Sequence, residues 1–421
     1  MKLLTVDTIE EARAKLLDAV KDWRLQVECI KTEEALGRFL AEDLHSSCDL
    51  PAFNRATVDG YAVIAADTAG AGESIPVFLS LTGHIEMGKS PPGPIQRGQC
   101  MAIPTGAMLP EGADAVVMVE YCESFDSKNI TVSEAVAPGS GMIYKGEDLT
   151  AGSLLIKRGT CLRAQEAGAL AAAGITKVNV YKPLAITIIS TGDELVSPDR
   201  SPQNGEIRDI NTTALLCLAE DSASGAATGA ARGTAYRVVK SMVLPDDEEL
   251  LGKALTEAMV NSDVVAVSGG SSQGEKDATA KVFSRYAKPG ILTHGLAIKP
   301  GKPTITAYDE KTKTLFVGLP GHPVSAMMVF ELLIVWLAES LIGQKRAFPI
   351  PARISCNIAA SPGKTNCQPV TLRQDGNGFI AEPVFGKSGM ITTLTQADGY
   401  IVIDVNKEGL NKDETVMVHL F

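Results

Sequence analysis

A chain of 421 residues is too long for one ordinary core, and at roughly 150 residues per domain it predicts about three domains. Its composition, 45% hydrophobic and 21% charged with 5% aromatic, is that of a globular protein rather than a disordered one. A formal net charge of −11 leaves no basic footprint for a general nucleic-acid binder, although a local basic pocket stays open.

The first residues, "MKLLTVDTIEEARAKLLDAV", turn acidic and amphipathic at once, so they do not read as a secretory signal. Ala12, Leu16, Leu17 and Val20 fall at helical spacing, and "TEEALGRFLAEDL", with Thr32 ahead of two glutamates, predicts a further helix start. From Pro51 to about Pro138, short apolar runs such as "IPVFLSLTG", "GQCMAIPTG" and "ADAVVMVEY" alternate with Gly and Pro, which predicts a small β-domain. "RAQEAGALAAAGITKVNVYKPLAITIIS" predicts an alanine-rich helix, a short strand and a buried strand. Between Leu184 and Phe330, strand-like "LAITIIS", "DVVAVSGG" and "KTLFVGLPG" alternate with helical "TTALLCLAEDSA" and "DEELLGKALTEAMVNS". That alternation predicts a parallel sheet with helices on both faces. The longest apolar run, Ser325 to Ile342, is interrupted by Glu331 and Glu339 and predicts a buried helix rather than a membrane span. After Ile342 short strands return, so a C-terminal β-domain follows. The eight cysteines never come within four positions of one another, which gives no zinc or redox pair and predicts reduced, structural thiols in a cytoplasmic protein.

Ligands of open α/β sheets sit at the carboxyl ends of the strands. Three such ends are unusual: Thr191-Gly192-Asp193-Glu194, Gly269-Gly270-Ser271-Ser272, and Gly321-His322-Pro323-Val324-Ser325. Glycines there let successive N–H groups converge on an anion, whereas the bland alternative is an ordinary turn with Asp277 as a first-turn acid. In "LAIKPGKPTI" a rigid Pro-Gly separates Lys299 from Lys302, which points to an oxyanion or phosphate site against the usual solvated lysine. Asp59, Glu147, Asp148, Glu194, Asp209 and Asp277 stand at irregular turns. Acids beside phosphate-binding turns suit magnesium, with solvated or capping carboxylates as the alternative.

Seven ordered stretches carry a resemblance: "VDGYAV" (58–63), "IPTGAMLPEGADAVV" (103–117), "GEDL" (146–149), "STGDEL" (190–195), "SGGSSQGEKD" (268–277), "AIKPGKP" (297–303) and "GLPGHPVSA" (318–326). The chain resembles the MoeA-type molybdopterin molybdenumtransferases, which include the C-terminal domain of gephyrin. The resemblance implies a multidomain α/β plus β fold in four parts. These are an elongated helical domain in two segments (1–45 and 146–180), an inserted β-domain (46–145), an α/β molybdopterin-binding domain with a parallel-rich sheet (181–342), and a C-terminal β-barrel-like domain (343–421). It implies a magnesium-dependent transferase that inserts molybdate into adenylylated molybdopterin and releases AMP. It further implies a homodimer in which the β-domain of one subunit covers the strand ends of the other, served by an upstream adenylyltransferase and feeding molybdoenzymes downstream.

Carried over by motif, Asp59, Glu194, Asp277, Lys299 and Lys302 are the implied catalytic set, and Asp148, Glu194, Asp209 and Asp277 the implied metal acids. Thr105, Gly269, Gly270, Ser271, Pro303, Gly321, His322 and Ser325 would line the pterin and oxyanion pocket. Three departures from the family pattern stand out: Ala56-Thr57-Val58 replaces Ser-Ala-Met, Gly-Gly-Ser-Ser-Gln-Gly replaces Gly-Gly-Val-Ser-Val-Gly, and His322 replaces a common asparagine, keeping a donor in place. A tungstate-inserting homologue, a scaffold that holds pterin without turnover and a different magnesium-dependent nucleotide enzyme are the alternatives. Retention of all the motif acids and both lysines favours catalysis over the scaffold.

Overall fold

The chain folds as two units, Met1–Glu42 with Arg158–Ala164 and Lys177–Phe421, and Asp43–Lys157 with Gln165–Thr176. The computed structural model describes residues 6–220, 235–269, 276–343, 348–376 and 378–421, and of 276–278 the backbone alone.

At the centre of the larger unit are β1 (Leu184–Thr191), α1 (Asn211–Glu220), β2 (Tyr236–Leu244), α2 (Glu248–Asn261), β3 (Val264–Gly269), α3 (Lys276–Tyr286), β4 (Pro289–His294), β5 (Ile305–Asp309) and β6 (Thr314–Leu319). Their order across the sheet is β2-β1-β3-β6-β5-β4; the first four are parallel, β5 runs against them, and β4 is antiparallel to β5. The inner strands β1, β3 and β6 read as near-continuous apolar runs because both faces are covered. Alternate residues serve opposite cores: Ile186, Ile188, Val264 and Ala266 pack with Leu215 of α1, while Ile189, Val265 and Val267 pack with Leu251 and Leu255 of α2 and Phe283 of α3. Asp247 starts α2 by accepting from Glu249 N and Leu250 N at 2.8 and 2.9 Å.

After β6 runs one long apolar helix: α4 (Pro323–Val329), a π segment Phe330–Val335, and α5 (Trp336–Ile342). By length and composition it could cross a membrane, yet its most apolar window is 72% buried within the protein, with Phe330, Leu333 and Leu337 fully enclosed. It is a core helix, as its sequence predicts. A π turn leaves carbonyls without their usual donors. Here Arg13 Nε and Nη2 donate to Leu332 O at 3.0 and 2.8 Å, and Tyr236 Oη donates to Ile334 O at 2.6 Å. Arg13 belongs to the N-terminal helix Ile9–Ala19, which is closed by a capping box between Thr8 and Glu11, and its guanidinium lies 4.7 Å from the Trp336 ring centre.

The helix predicted at "TEEALGRFLAEDL" is corrected. Only Thr32–Glu34 turns, as a single 3-10 element. The preceding Val27–Lys31 pairs with Lys177–Tyr181, and Phe39 and Leu40 bridge to Cys161 and Val180, so long-range strand pairing claims the backbone that a helix would use.

The same unit ends in β7 (Ile350–Ile354), β8 (Thr365–Asp375), β9 (Gly378–Pro383), β10 (Gly399–Ile403) and β11 (Thr415–Leu420). They run β8-β9-β7-β11-β10 and return to β8, closing a five-stranded barrel around Ile354, Val370, Ala381, Ile401 and Val418. Closure removes the free sheet edges. β8 also pairs in parallel with the short strand Ile298–Lys299, and Thr365 N donates to Ala297 O at 2.8 Å, which stitches the barrel to the α/β layer.

The smaller unit holds a six-stranded sheet in the order Ala115–Met118, Gly60–Val63, Gln99–Ile103, Val77–His84, Asn129–Val132, Cys122–Ser124. Gly60 is required there: a Cβ at that position would lie 1.9 Å from Val117 O. Burial pushes the Cys100 and Cys122 thiols of this unit, and Cys367 of the other, up to about 12, so they stay protonated as structural thiols.

Candidate functional site

In the central sheet the chain leaves β1 for β2 on one side and then crosses to β3 on the other. The strand order therefore reverses between β1 and β3, where α/β sheets open a ligand crevice. Gly269 ends β3 at this point with φ +118°, and a Cβ there would sit 2.1 Å from Thr191 O. Only glycine allows the two strand ends to approach this closely. Gly270 and Ser271, also expected here, lie outside the described residues, as does the side chain of Asp277, whose backbone forms the first turn of α3.

Asn211, at the start of α1, ties two strand ends together. Its Nδ2 donates to Ser268 Oγ at 2.7 Å and to Gly321 O at 2.8 Å, while Ser268 Oγ donates on to Pro320 O at 3.4 Å. The next residue, Thr212, shares a 2.7 Å hydrogen bond with Ser190 Oγ of β1. Asn211 is 9% exposed, and its Oδ1 is enclosed without a hydrogen-bond partner. Nothing local in the sequence marks Asn211, whose two acceptors lie 57 and 110 residues away.

Beside Asn211, the Asp209 carboxylate is buried and accepts from Thr212 N at 3.2 Å, and it lines a hollow of about 560 Å³ together with Gly192, Asp193 and Arg200. Glu194 is exposed, with its carboxylate folded back over Gly192: a Cβ on that glycine would meet Glu194 Oε2 at 2.8 Å. Glu194 precedes one strand of the two-residue ladder Leu195–Val196 with Ile207–Arg208, whereas Asp209 follows the other. The two acids thus stand at opposite ends of that ladder.

A second opening, about 900 Å³, lies between the α/β layer and the barrel within the same unit. It contains the predicted Lys299, Lys302, Pro303, His322 and Ser325. Gly301 makes the turn between the lysines possible, with φ +122° and a hypothetical Cβ 2.7 Å from Val329 Cγ2. Lys299 Nζ donates to Ser361 Oγ at 3.0 Å, and Lys302 is exposed toward the opening. Ser325 is buried in the first turn of α4, behind Pro323. The barrel adds Lys364, Lys387 and Ser388, which sequence reasoning missed because nothing local marks them. Four lysines in one cleft form a cationic surface on a chain whose net charge is −11. Gly321 joins Asn211 to the lysine cleft, since its carbonyl accepts from Asn211 while its neighbour His322 lines the cleft.

In the smaller unit Asp59 and Thr105 meet. Asp59 Oδ1 accepts from Thr105 N at 2.7 Å and from Thr105 Oγ1 at 2.9 Å, and these bonds, the backbone one first, hold the carboxyl below its usual range. Asp148 is exposed, and its amide donates to Leu50 O at 3.0 Å. The neighbouring Glu147 accepts from Tyr144 N at 2.7 Å. Among the described residues no three His, Cys, Asp or Glu side chains gather as a metal cage.

Comparison with known proteins gives the family and the overall fold. Residues 7–174 match the MoeA N-terminal region (domain I and II), residues 187–339 the family described as "Probable molybdopterin binding domain", and residues 351–421 the MoeA C-terminal region (domain IV). The chain is 30% identical over 419 residues to the molybdopterin molybdenumtransferase of Haemophilus influenzae, covering 98% of each. It is similar to a crystal structure of a molybdopterin biosynthesis MoeA protein from Pyrococcus horikoshii, with a TM-score of 0.83 and 29% identity over 99% of this chain and 100% of that one. A second structure from the same organism gives 0.78 and 35%, covering 99% of both chains.

Proposed function

The chain belongs to the MoeA family, with a role in molybdenum cofactor biosynthesis, and from that premise we propose that it is a transferase that inserts molybdate into adenylylated molybdopterin with release of AMP. The observation that carries the reading is the lysine cleft. Lys299 and Lys302, held apart by a turn that only glycine can make, converge with Lys364 and Lys387 on a space large enough for an oxyanion and part of a larger anionic ligand. Molybdate is a tetrahedral dianion and enters as substrate; tungstate has the same charge and almost the same size, so the cleft would admit either.

The pterin nucleotide would occupy the crevice where β1 and β3 diverge. There Gly269 permits close backbone approach, and Asn211 fixes the loop ending in Gly321 against Ser268. Magnesium takes one or two carboxylates and completes its shell with phosphate oxygens and water. The buried Asp209, with Glu194 and Asp277 as further acids of the proposed set, supplies hard oxygen donors of that kind, and the dispersion of acids among the described residues suits a cation shared with substrate phosphates rather than caged by protein. When bound, the cation offsets charge on the phosphoanhydride. The protein's own part is to orient the two substrates and to offset the oxyanion's charge with lysines in a half-enclosed cleft. Asp59 with Thr105, and Asp148, belong to the proposed acidic set in the other unit.

The domain limits proposed with this reading are 1–45 with 146–180, 46–145, 181–342 and 343–421, and the proposed assembly is a cytoplasmic homodimer. Purified protein given adenylylated molybdopterin, molybdate and magnesium tests the activity through the AMP it releases.

A further inference from the structure

His322 occupies the N-cap position of α4 but makes no side-chain bond to that helix. An N-cap side chain ordinarily serves the free N–H groups of the first turn. Here Nδ1 instead lies 2.7 Å from Ser388 Oγ, on the barrel side of the lysine cleft, and Val324 N donates to Ser388 O at 3.2 Å. Ser388 is therefore gripped through both its side chain and its backbone by the first residues of one helix. The segment that carries it also carries Lys387, and Gly389 lies against the imidazole, where even a Cβ would be 3.8 Å from Cδ2. On the α/β side of the cleft, Lys299 makes the corresponding reach to Ser361.

We propose that His322 is a positioning residue of the oxyanion cleft, which orients the Ser388 hydroxyl, and with it the Lys387 segment, toward the bound anion; this rests on reading the cleft as the oxyanion site. The chemistry follows from the donor inventory. With the proton on Nδ1, the imidazole donates to Ser388 Oγ, and the serine's own hydrogen is left to point into the cleft. An anion needs donors, and a hydroxyl fixed by a neighbouring donor loses less freedom on binding than one that rotates.

Titration calorimetry with sodium molybdate, on the full-length protein and four variants, tests the assignment. His322→Phe and Ser388→Ala should each weaken molybdate binding roughly tenfold, the change expected for one hydrogen bond. The double variant should bind no worse than either single one, because both changes remove the same oriented hydroxyl. His322→Asn, which keeps a donor, should bind within about threefold of wild type. Wild-type binding in His322→Phe, or losses that add in the double variant, would overturn the positioning role while leaving the cleft an oxyanion site. A wild-type protein that binds no molybdate would overturn the oxyanion reading and this role with it.

Discussion

Asp59 shows what a single carboxylate can report. Its folded-state pKa lies below the ordinary 3.8 because Thr105 donates to it twice, from the backbone and from the hydroxyl. A depressed carboxyl contributes stability that is present above its unfolded pKa and lost as pH falls through its folded pKa. Asp59→Asn keeps an acceptor but loses the charge. The difference in melting temperature between this variant and wild type should be visible at neutral pH and shrink toward zero in acid below 3.8, and a difference that does not change with pH would separate Asp59 from its Thr105 bonds. Lys299→Ala and Lys302→Ala should each weaken oxyanion or phosphate binding by about 1.5–3 kcal/mol, the loss of one charge-assisted hydrogen bond. Unchanged affinity for both molybdate and the pterin nucleotide would return them to solvated surface. At this scale the glycines and lysines were legible because Gly and Pro fix local geometry. Asn211 was not: its two acceptors lie 57 and 110 residues away, and only the strand order brings them within reach.

The long helix after β6 is the element where local and long-range physics meet. Its apolar run announces a buried helix, yet nothing in that run announces a π segment at Phe330–Val335. The signal sits elsewhere in the chain, in Arg13 and Tyr236, which donate to the Leu332 and Ile334 carbonyls. Tyr236→Phe keeps the ring in place and removes only the donor, leaving a buried carbonyl unsatisfied. It should cost about 1–3 kcal/mol, read as a lower melting temperature with unchanged far-UV circular dichroism. An unchanged melting temperature would show that another donor serves Ile334. The stretch after Lys31 teaches the converse. "TEEALGRFLAEDL" has a helix-start pattern, but Val27–Lys31 and the bridges of Phe39 and Leu40 join it to residues 161–181, and pairing across that distance overrides local propensity.

At the scale of the whole molecule, the order of textures along the chain was readable: a β-rich region, an alternating α/β region, and a second β-rich region, each set by its own hydrophobic period. What periodicity could not supply was closure. The C-terminal strands form a barrel because β8 pairs with β10 as well as β9, and the lysine cleft exists because that barrel is stitched to the α/β layer through Ile298–Lys299. The proposed transferase activity requires this assembly to act on both substrates at once. AMP release from adenylylated molybdopterin, followed by chromatography while molybdate and magnesium are added separately and together, measures that directly. The expected result is AMP that appears only when both are present, and that falls by most of its amount in Asp277→Asn, because a neutral amide is a poor ligand for a hard cation. Pterin nucleotide that remains intact in the presence of both, with the protein folded and bound to it, would contradict the activity.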